Sequence, residues 1–311
     1  MLLAALALTL SSCHLSPQAE ISLAIIDWPG YEYFYLAAEK KLDHQENLAL
    51  TVHQFSSLAD QRRAFVRGDV DAIATTLSEA IAICREAAMR CPVLVLVLDE
   101  SDGADQLISS SNLTSLQQLR GKLLGLERSD LGHFIARRAL NSAGLNLSDV
   151  KLVYGGPAEL VNELTTGHLD AVVTYTPFSD SLTNRSQWNL LFSSKDLPGE
   201  IVDVLAVSPE LFQQKDAVKA LINTWWAARG FAQQHPTDSI SLMAGRQKVT
   251  PMQFTQSEQG IHYPSQSDQA HLLSSEGPVA TTLKTLLHDQ QPTDRTHPHV
   301  PLPRVVNGSD P

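Results

Sequence analysis

The chain has 311 residues, 43% apolar and 18% charged, with a formal net charge of −11. That length allows two lobes of ordinary size, each with its own core, and the composition is that of a soluble globular protein. An acidic chain with no cluster of basic residues is not expected to bind nucleic acid.

Met1–Leu10 is an apolar run, too short to span a bilayer but of the length of a signal-peptide core. Leu10-Ser-Ser-Cys13 resembles a bacterial lipobox. The resemblance implies that residues 1–13 are a signal peptide and its lipidated cysteine, with cleavage before Cys13, lipid on its thiol and new amino group, and export. No Lys or Arg precedes the apolar run, which departs from the pattern and leaves the true start open. Ser16, Pro17 and Gln18 read as a short tether.

Glu20–Asp27 reads as a strand broken by Trp28-Pro-Gly30. Tyr31–Leu42 is helical by spacing, with Tyr33, Leu36, Ala37 and Lys40 on one face. Leu48–Phe55 alternates as a strand that ends at Ser56-Ser57, and Asp60–Arg67 and Glu79–Met89 read as helices. Pro92–Leu98 is a continuous apolar run, as a strand buried on both faces should be. Asp99–Asp105 is a sharp polar break, read as the crossing between lobes. Beyond it come a short helix at Ser115–Leu119, a strand at Lys122–Leu126 and a loop at Glu127–Gly132 opening a helix to Ala143. A strand at Val150–Tyr154, a helix at Pro157–Thr166 and a strand at Gln187–Phe192 follow. Val204–Ser208 is read as the return crossing. From Pro209 the chain is mostly helical, with long helices at Lys215–Gln234 and Gln269–His288, and 291–311 reads as a polar, Pro-rich tail without a core. This order predicts one lobe from 20–100 plus 204–290 and a second from 101–203.

Two stretches are near-copies: Arg67-Gly-Asp-Val-Asp-Ala-Ile-Ala-Thr-Thr76 and Thr166-Gly-His-Leu-Asp-Ala-Val-Val-Thr-Tyr175. Each reads as a helix stopped by a Gly able to take a positive φ, a tight turn and a short apolar strand. An α/β unit repeated about a hundred residues apart is what two similar lobes would give. Ligands in open α/β sheets bind beyond the carboxyl ends of strands, which would present Thr76 and Thr174 to one cleft. Read alone, the motif is also a common helix-to-strand turn.

Cys84 and Cys91 remain after Cys13, and in an exported chain they form either a short-loop disulfide or two separate buried thiols. Their spacing matches no zinc or redox motif. His297-Pro-His299 lies in a polar tail, and no cluster has metal-ligand spacing, so neither metal nor cofactor is expected.

Asp27-Trp-Pro-Gly-Tyr-Glu32 with Tyr35-Leu-Ala37, Gly68-Asp-Val-Asp-Ala72, Asp99-x-Ser-x-Gly-Ala-Asp105, Leu119-Arg-Gly-Lys122, Gly125-Leu-Glu127, Asp170-Ala-Val-Val-Thr174 and Pro198-Gly-x-Ile-x-Asp-Val-Leu205 occur in order. Together they resemble periplasmic substrate-binding proteins of the nitrate/sulfonate/taurine and thiamine-precursor type, over about residues 20–235. The resemblance implies an α/β, two-lobed periplasmic binding protein fold (type II, Venus flytrap) with a helical C-terminal region. It also implies a monomer outside the cytoplasm, tethered to the membrane by its lipid, that hands a small polar solute to an ABC permease. Lys41 stands where such proteins often carry Gly, and the chain after residue 240 matches poorly.

On this reading Trp28 and Tyr31 sit at the cleft mouth to stack on a ligand, although a loop Trp can also pack under its own helix. Ser56, Ser57, Thr75 and Thr76 lie where strands end and helices begin, suited to an oxygen-rich ligand or to ordinary N-capping. Asp99 and Ser101 sit in the crossing as ligand acceptors or hinge bonds. Glu127, Ser129, Thr174 and Tyr175 are the second lobe's closure contacts or local caps. The candidate loops carry Asp27, Glu32, Asp99, Asp102, Glu127 and Asp203 against one basic residue, Arg128; acids pointing inward would favour a cationic or amine-bearing ligand.

No nucleophile elbow, dinucleotide fingerprint, P-loop or zinc-protease motif is present, so an enzyme is not expected. The alternatives are a sensory module for a membrane receptor and a thiamine-pyrimidine-type enzyme on the same fold, whose family carries a cysteine cluster that this chain lacks.

Overall fold

The computed structural model describes residues 18–182, 186–290 and 301–306. The lipobox with Cys13, and His297 and His299 in the tail, lie outside them. Among the described residues no helix is long and apolar enough to cross a membrane.

The strands are β1 (Ala19–Ile25), β2 (Leu48–Gln54), β3 (Ala72–Thr76), β4 (Val93–Ser101), β5 (Asp105–Ser110), β6 (Leu123–Leu126), β7 (Lys151–Tyr154), β8 (Ala171–Tyr175), β9 (Trp188–Ser193), β10 (Val202–Val207), β11 (Ile261–His262) and β12 (Arg304–Val305). They form two sheets, ordered β2-β1-β3-β10-β4-β11, with β12 also on β4, and β7-β6-β8-β5-β9. The first five strands of one sheet repeat the plan of the other. In each sheet three parallel strands meet an antiparallel one, β10 beside β3 and β5 beside β8. Each of those antiparallel strands arrives from the opposite lobe, because β4 leads into β5 and β9 into β10. The chain therefore crosses twice, and each lobe is completed by a strand that the other has just left.

The near-copies in the sequence are β3 and β8 with the turns before them. Gly68 and Gly167 both close a helix in the left-handed region, at φ of 82° and 80°. Asp71 then accepts from the backbone N–H of Ser22 on β1 (2.9 Å), and Asp170 from that of Leu123 on β6 (2.9 Å), so the shared Asp ties the turn to the central strand in both lobes. Lys41 takes φ 55°, the left-handed position a Gly would fill at lower cost.

Helices cover the sheets: α1 (Glu32–Glu39), α2 (Leu42–Gln45), α3 (Leu58–Arg67) and α4 (Leu77–Glu86), then α5 (Asp130–Ser142) and α6 (Pro157–Thr165). The C-terminal region adds α7 (Pro209–Phe212), α8 (Lys215–Gln234), α9 (Pro236–Arg246), α10 (Pro251–Glu258), α11 (Gln269–Leu272) and α12 (Pro278–Gln290). Helix α8 packs Trp225 on Phe34 and Tyr33 of α1, fixing the helical region to the first sheet.

Several elements differ from the sequence reading. Asp99–Asp105 is not a loop: β4 continues to Ser101 and β5 opens at Asp105, leaving a three-residue turn. The acids there mimic a break, but main-chain pairing to β10 and β8 carries the strands through. The Gln269–His288 helix is two, divided around Gly277 and Pro278. Pro177 follows a cis peptide bond and leads into a 3-10 turn at Phe178–Leu182. In the stretch read as a coreless tail, Arg304 and Val305 pair with Val93 and Leu94, and Val305 and Val306 pack on the core. Cys84 and Cys91 are joined in a disulfide that ties the end of α4 to the approach to β4.

A candidate solute site between two lobes

The carboxyl ends of β1, β3, β6 and β8 face one another across the lobes. Trp28 follows β1; its ring meets Tyr175 of β8 edge-on at 6.1 Å, so aromatic contact spans the gap. Two adjoining cavities lie there. Ile26, Trp28, Tyr31, Leu58, Thr76, Asp105, Leu131, Tyr175 and Asp203 line the first. Leu58, Asp105, Glu127, Ser129, Leu131, Gly132, Ile135, Pro157, Val173, Thr174 and Tyr175 line the second. Their volumes are about 10 Å³ and 20 Å³, room for roughly one water in each. The lobes stand closed.

Of the residues singled out from the sequence, Trp28, Tyr31, Thr76, Glu127, Ser129, Thr174 and Tyr175 line these cavities. Asp99 and Ser101 lie just behind, each fully buried and hydrogen-bonded. Ser57 caps α3 by accepting from the N–H of Asp60 (3.1 Å), and Ser56 is exposed and bonded to the Asp60 carboxylate (3.2 Å). Thr75 is buried within β3 beside the site without lining it. Thr76 and Ser129 line the site and also cap α4 and α5, accepting from Glu79 (3.2 Å) and Gly132 (3.0 Å), so the two roles coexist.

Asp105, Leu58 and Leu131 line the site without a local sequence signal that marks them as ligand groups, and Asp203, a loop acid by sequence, lines it from strand β10. One longer-range signal for Asp105 and Asp203 existed. Asp203 pairs with Thr76, the last residue of β3, and Asp105 with Tyr175, the last residue of β8. They are therefore equivalent positions of the repeat, one on each crossing strand.

Several acids gather here, and among the described residues no Lys or Arg lines either cavity. Trp28 Nε1 donates to Asp99 (3.0 Å), and Tyr31 donates its phenol proton to Asp203. Asp99 and Asp203 are register partners on β4 and β10, and among the described residues the second carboxylate oxygen of Asp99, Oδ2, is buried without a hydrogen-bond partner. Burial pushes the Asp99 carboxyl up to about 7 and holds Asp203 well above the ordinary carboxylate range. Burial likewise pushes Asp105 and Glu127 up to about 7. Elsewhere the inward acids are paired: Glu32 is clamped by Arg246 and also accepts from Gln247 (3.0 Å).

Two glutamates cross between the lobes. Glu79 of α4, wholly buried, accepts from the N–H groups of Asp130 (2.5 Å) and Leu131 (3.2 Å) at the start of α5. Glu127 before α5 accepts from the N–H of Ala59 (3.2 Å) at the start of α3. Each lobe thus places a carboxylate on a helix N-terminus of the other, where backbone donors and the helix dipole favour negative charge. Arg62 of α3 bridges Glu79 (2.5 Å) and Asp130 (3.2 Å), closing the same seam.

The sequence matches the NMT1-like family over residues 15–245. The chain belongs to the NMT1-like family. A binding protein of Brucella abortus strain 2308 is 23% identical over 239 residues, 72% of this chain and 70% of that one. Among solved structures, the alkanesulfonate-binding protein SsuA of Xanthomonas axonopodis pv. citri, bound to MOPS, superposes with a TM-score of 0.71 at 17% identity, covering 87% of this chain and 91% of that one. The periplasmic nitrate-binding protein NrtA of Synechocystis PCC 6803 gives 0.70 at 12% identity, covering 89% and 83%. The two-lobed periplasmic binding protein fold of this NMT1-like protein is the fold of those structures.

Proposed function

We propose that this chain is an extracytoplasmic solute-binding lipoprotein. It captures a small polar molecule between its lobes and delivers it to an ABC permease. The observation that carries the reading is the interlobe site itself: aromatic and hydrogen-bonding groups from both lobes converge on cavities at the strand ends, and the described residues join the lobes through two crossings. A clamp of this kind opens and closes at its crossings, and closure creates a surface that exists only in the loaded state. The family match and the SsuA and NrtA folds support the transport setting. The Leu10–Cys13 pattern supports the lipid anchor, and the Cys84–Cys91 disulfide supports an oxidising compartment. The binding residues in this reading are those lining the two cavities, with Asp99 and Ser101 behind them.

The test is retention. Protein purified from residue 14 onward is stripped of small molecules by unfolding and refolding, exposed to metabolite extract, washed and analysed by native mass spectrometry. One discrete low-mass adduct, lost on Trp28→Ala, is the expected result. The absence of any retained compound, with the protein folded, would refute solute capture.

A further inference from the structure

The closed lobes gather acids that no basic residue lining the site offsets. Asp105 and Asp203, one on each crossing strand, line the first cavity, and Glu127 lines the second; no Lys or Arg lines either. Glu127 is 7% exposed, and among the described residues its Oε2 has no hydrogen-bond partner; nor has Thr174 Oγ1 in the same cavity. Buried polar atoms are ordinarily satisfied, so these atoms mark hydrogen-bonding capacity at this wall that a bound solute can meet. The helix N-termini that would receive an anion at this seam already hold Glu79 and Glu127. The cations that act on these acids are Arg229 on Asp99 and Arg62 on Glu127; Arg229 stacks on Tyr33 and Tyr263, Arg62 is held by Glu79 and Asp130, and neither lines a cavity.

We infer that the solute is a small organic cation, a protonated amine, amidine or guanidine, whose N–H groups bridge Asp105 and Asp203 while its body lies against Trp28 and Tyr175. This rests on the solute-capture reading above and names the ligand class of the same site. N–H donors answer carboxylates at short range in a buried site, and the aromatic faces add cation–π attraction. Nitrate or a sulfonate would instead meet carboxylates on both sides, with the N-termini of α3 and α5 already taken by Glu127 and Glu79. A metal ion does not fit, because among the described residues no group of three or more His, Cys, Asp or Glu is placed to hold one.

The experiment is thermal melting at pH 7.5 and constant ionic strength with 10 mM methylammonium, guanidinium or benzamidine. Nitrate, methanesulfonate and benzenesulfonate are the shape-matched anions, and benzamide is the neutral control. At least one cation is expected to raise Tm by several degrees while its anionic and neutral counterparts do not. Asp105→Asn and Asp203→Asn are expected to weaken that cation at least tenfold by titration calorimetry, and Asp268→Asn, an exposed acid that lines neither cavity, to leave it unchanged. Circular dichroism confirms that each variant is folded. A shift with an anion alone, or with no cation, overturns the assignment, as does a cation whose affinity both Asn variants preserve. Solute capture fails separately, since retention of a metabolite from extract is blind to its charge.

Discussion

Asp105→Asn should make the protein more stable at pH 8 relative to wild type, and progressively less so as pH falls. Burial raises the Asp105 carboxyl from 3.8 to about 7 in the folded state. Between those values the unfolded chain has released the proton that the folded chain still holds, so rising pH favours unfolding. The stability associated with the protonated carboxyl is complete below about pH 4 and is lost as pH climbs toward 7. From pH 5 to pH 8 the folded carboxyl lags the unfolded one over about two pH units, worth roughly 2–3 kcal/mol at about 1.4 kcal/mol per unit. Asn mimics the protonated acid and has no such term. At about 2–4 °C per kcal/mol, the Tm difference between variant and wild type should widen by roughly 5–10 °C from pH 5 to pH 8. Differential scanning calorimetry in buffers of matched ionic strength measures it. Parallel Tm–pH curves for the two proteins would refute the reasoning, since they would mean that Asp105 titrates alike in both states.

Glu79→Gln should loosen the closed state, because its carboxylate answers two N–H groups of α5 and Arg62. Charge-assisted hydrogen bonds contribute about 1.5–3 kcal/mol, so the open population should rise at least tenfold, read as greater susceptibility of the lobe seam to hydrogen exchange. Gly30→Ala should destabilise by about 1–3 kcal/mol, measured by denaturant titration, because a Cβ there would collide with the Asp99 carboxyl carbon at 2.8 Å and Trp28 Nε1 at 2.7 Å. Cys84→Ser should cost about 2 kcal/mol by the loop-closure relation, a small effect because the bridged positions are only seven residues apart. A wild-type Tm from that variant would mean that the pair does not constrain the unfolded chain.

The repeat was the most legible part of the fold. Its glycines need a left-handed turn and its shared Asp ties each turn to a central strand, so local chemistry dictates both copies. Helix α8 was legible end to end because its apolar face keeps one period over twenty residues. The crossing was not. Asp99, Ser101 and Asp105 have the composition of a loop, and only pairing with β10, β11 and β8 holds them in strands. Helices α9 and α10 went unread because short amphipathic segments bounded by Pro carry little periodic signal. In the site, residues after strand ends were legible from the rule that ligands bind there. Leu58 and Leu131 were not, since an apolar residue in a first helical turn reads as core.

Lobe closure on a solute is tested most directly by small-angle X-ray scattering of stripped protein with and without the compound retained from extract. A smaller radius of gyration on loading is expected, reversed when Glu79→Gln and Glu127→Gln remove the carboxylates that join the lobes. An identical radius with and without a bound compound would contradict capture by closure.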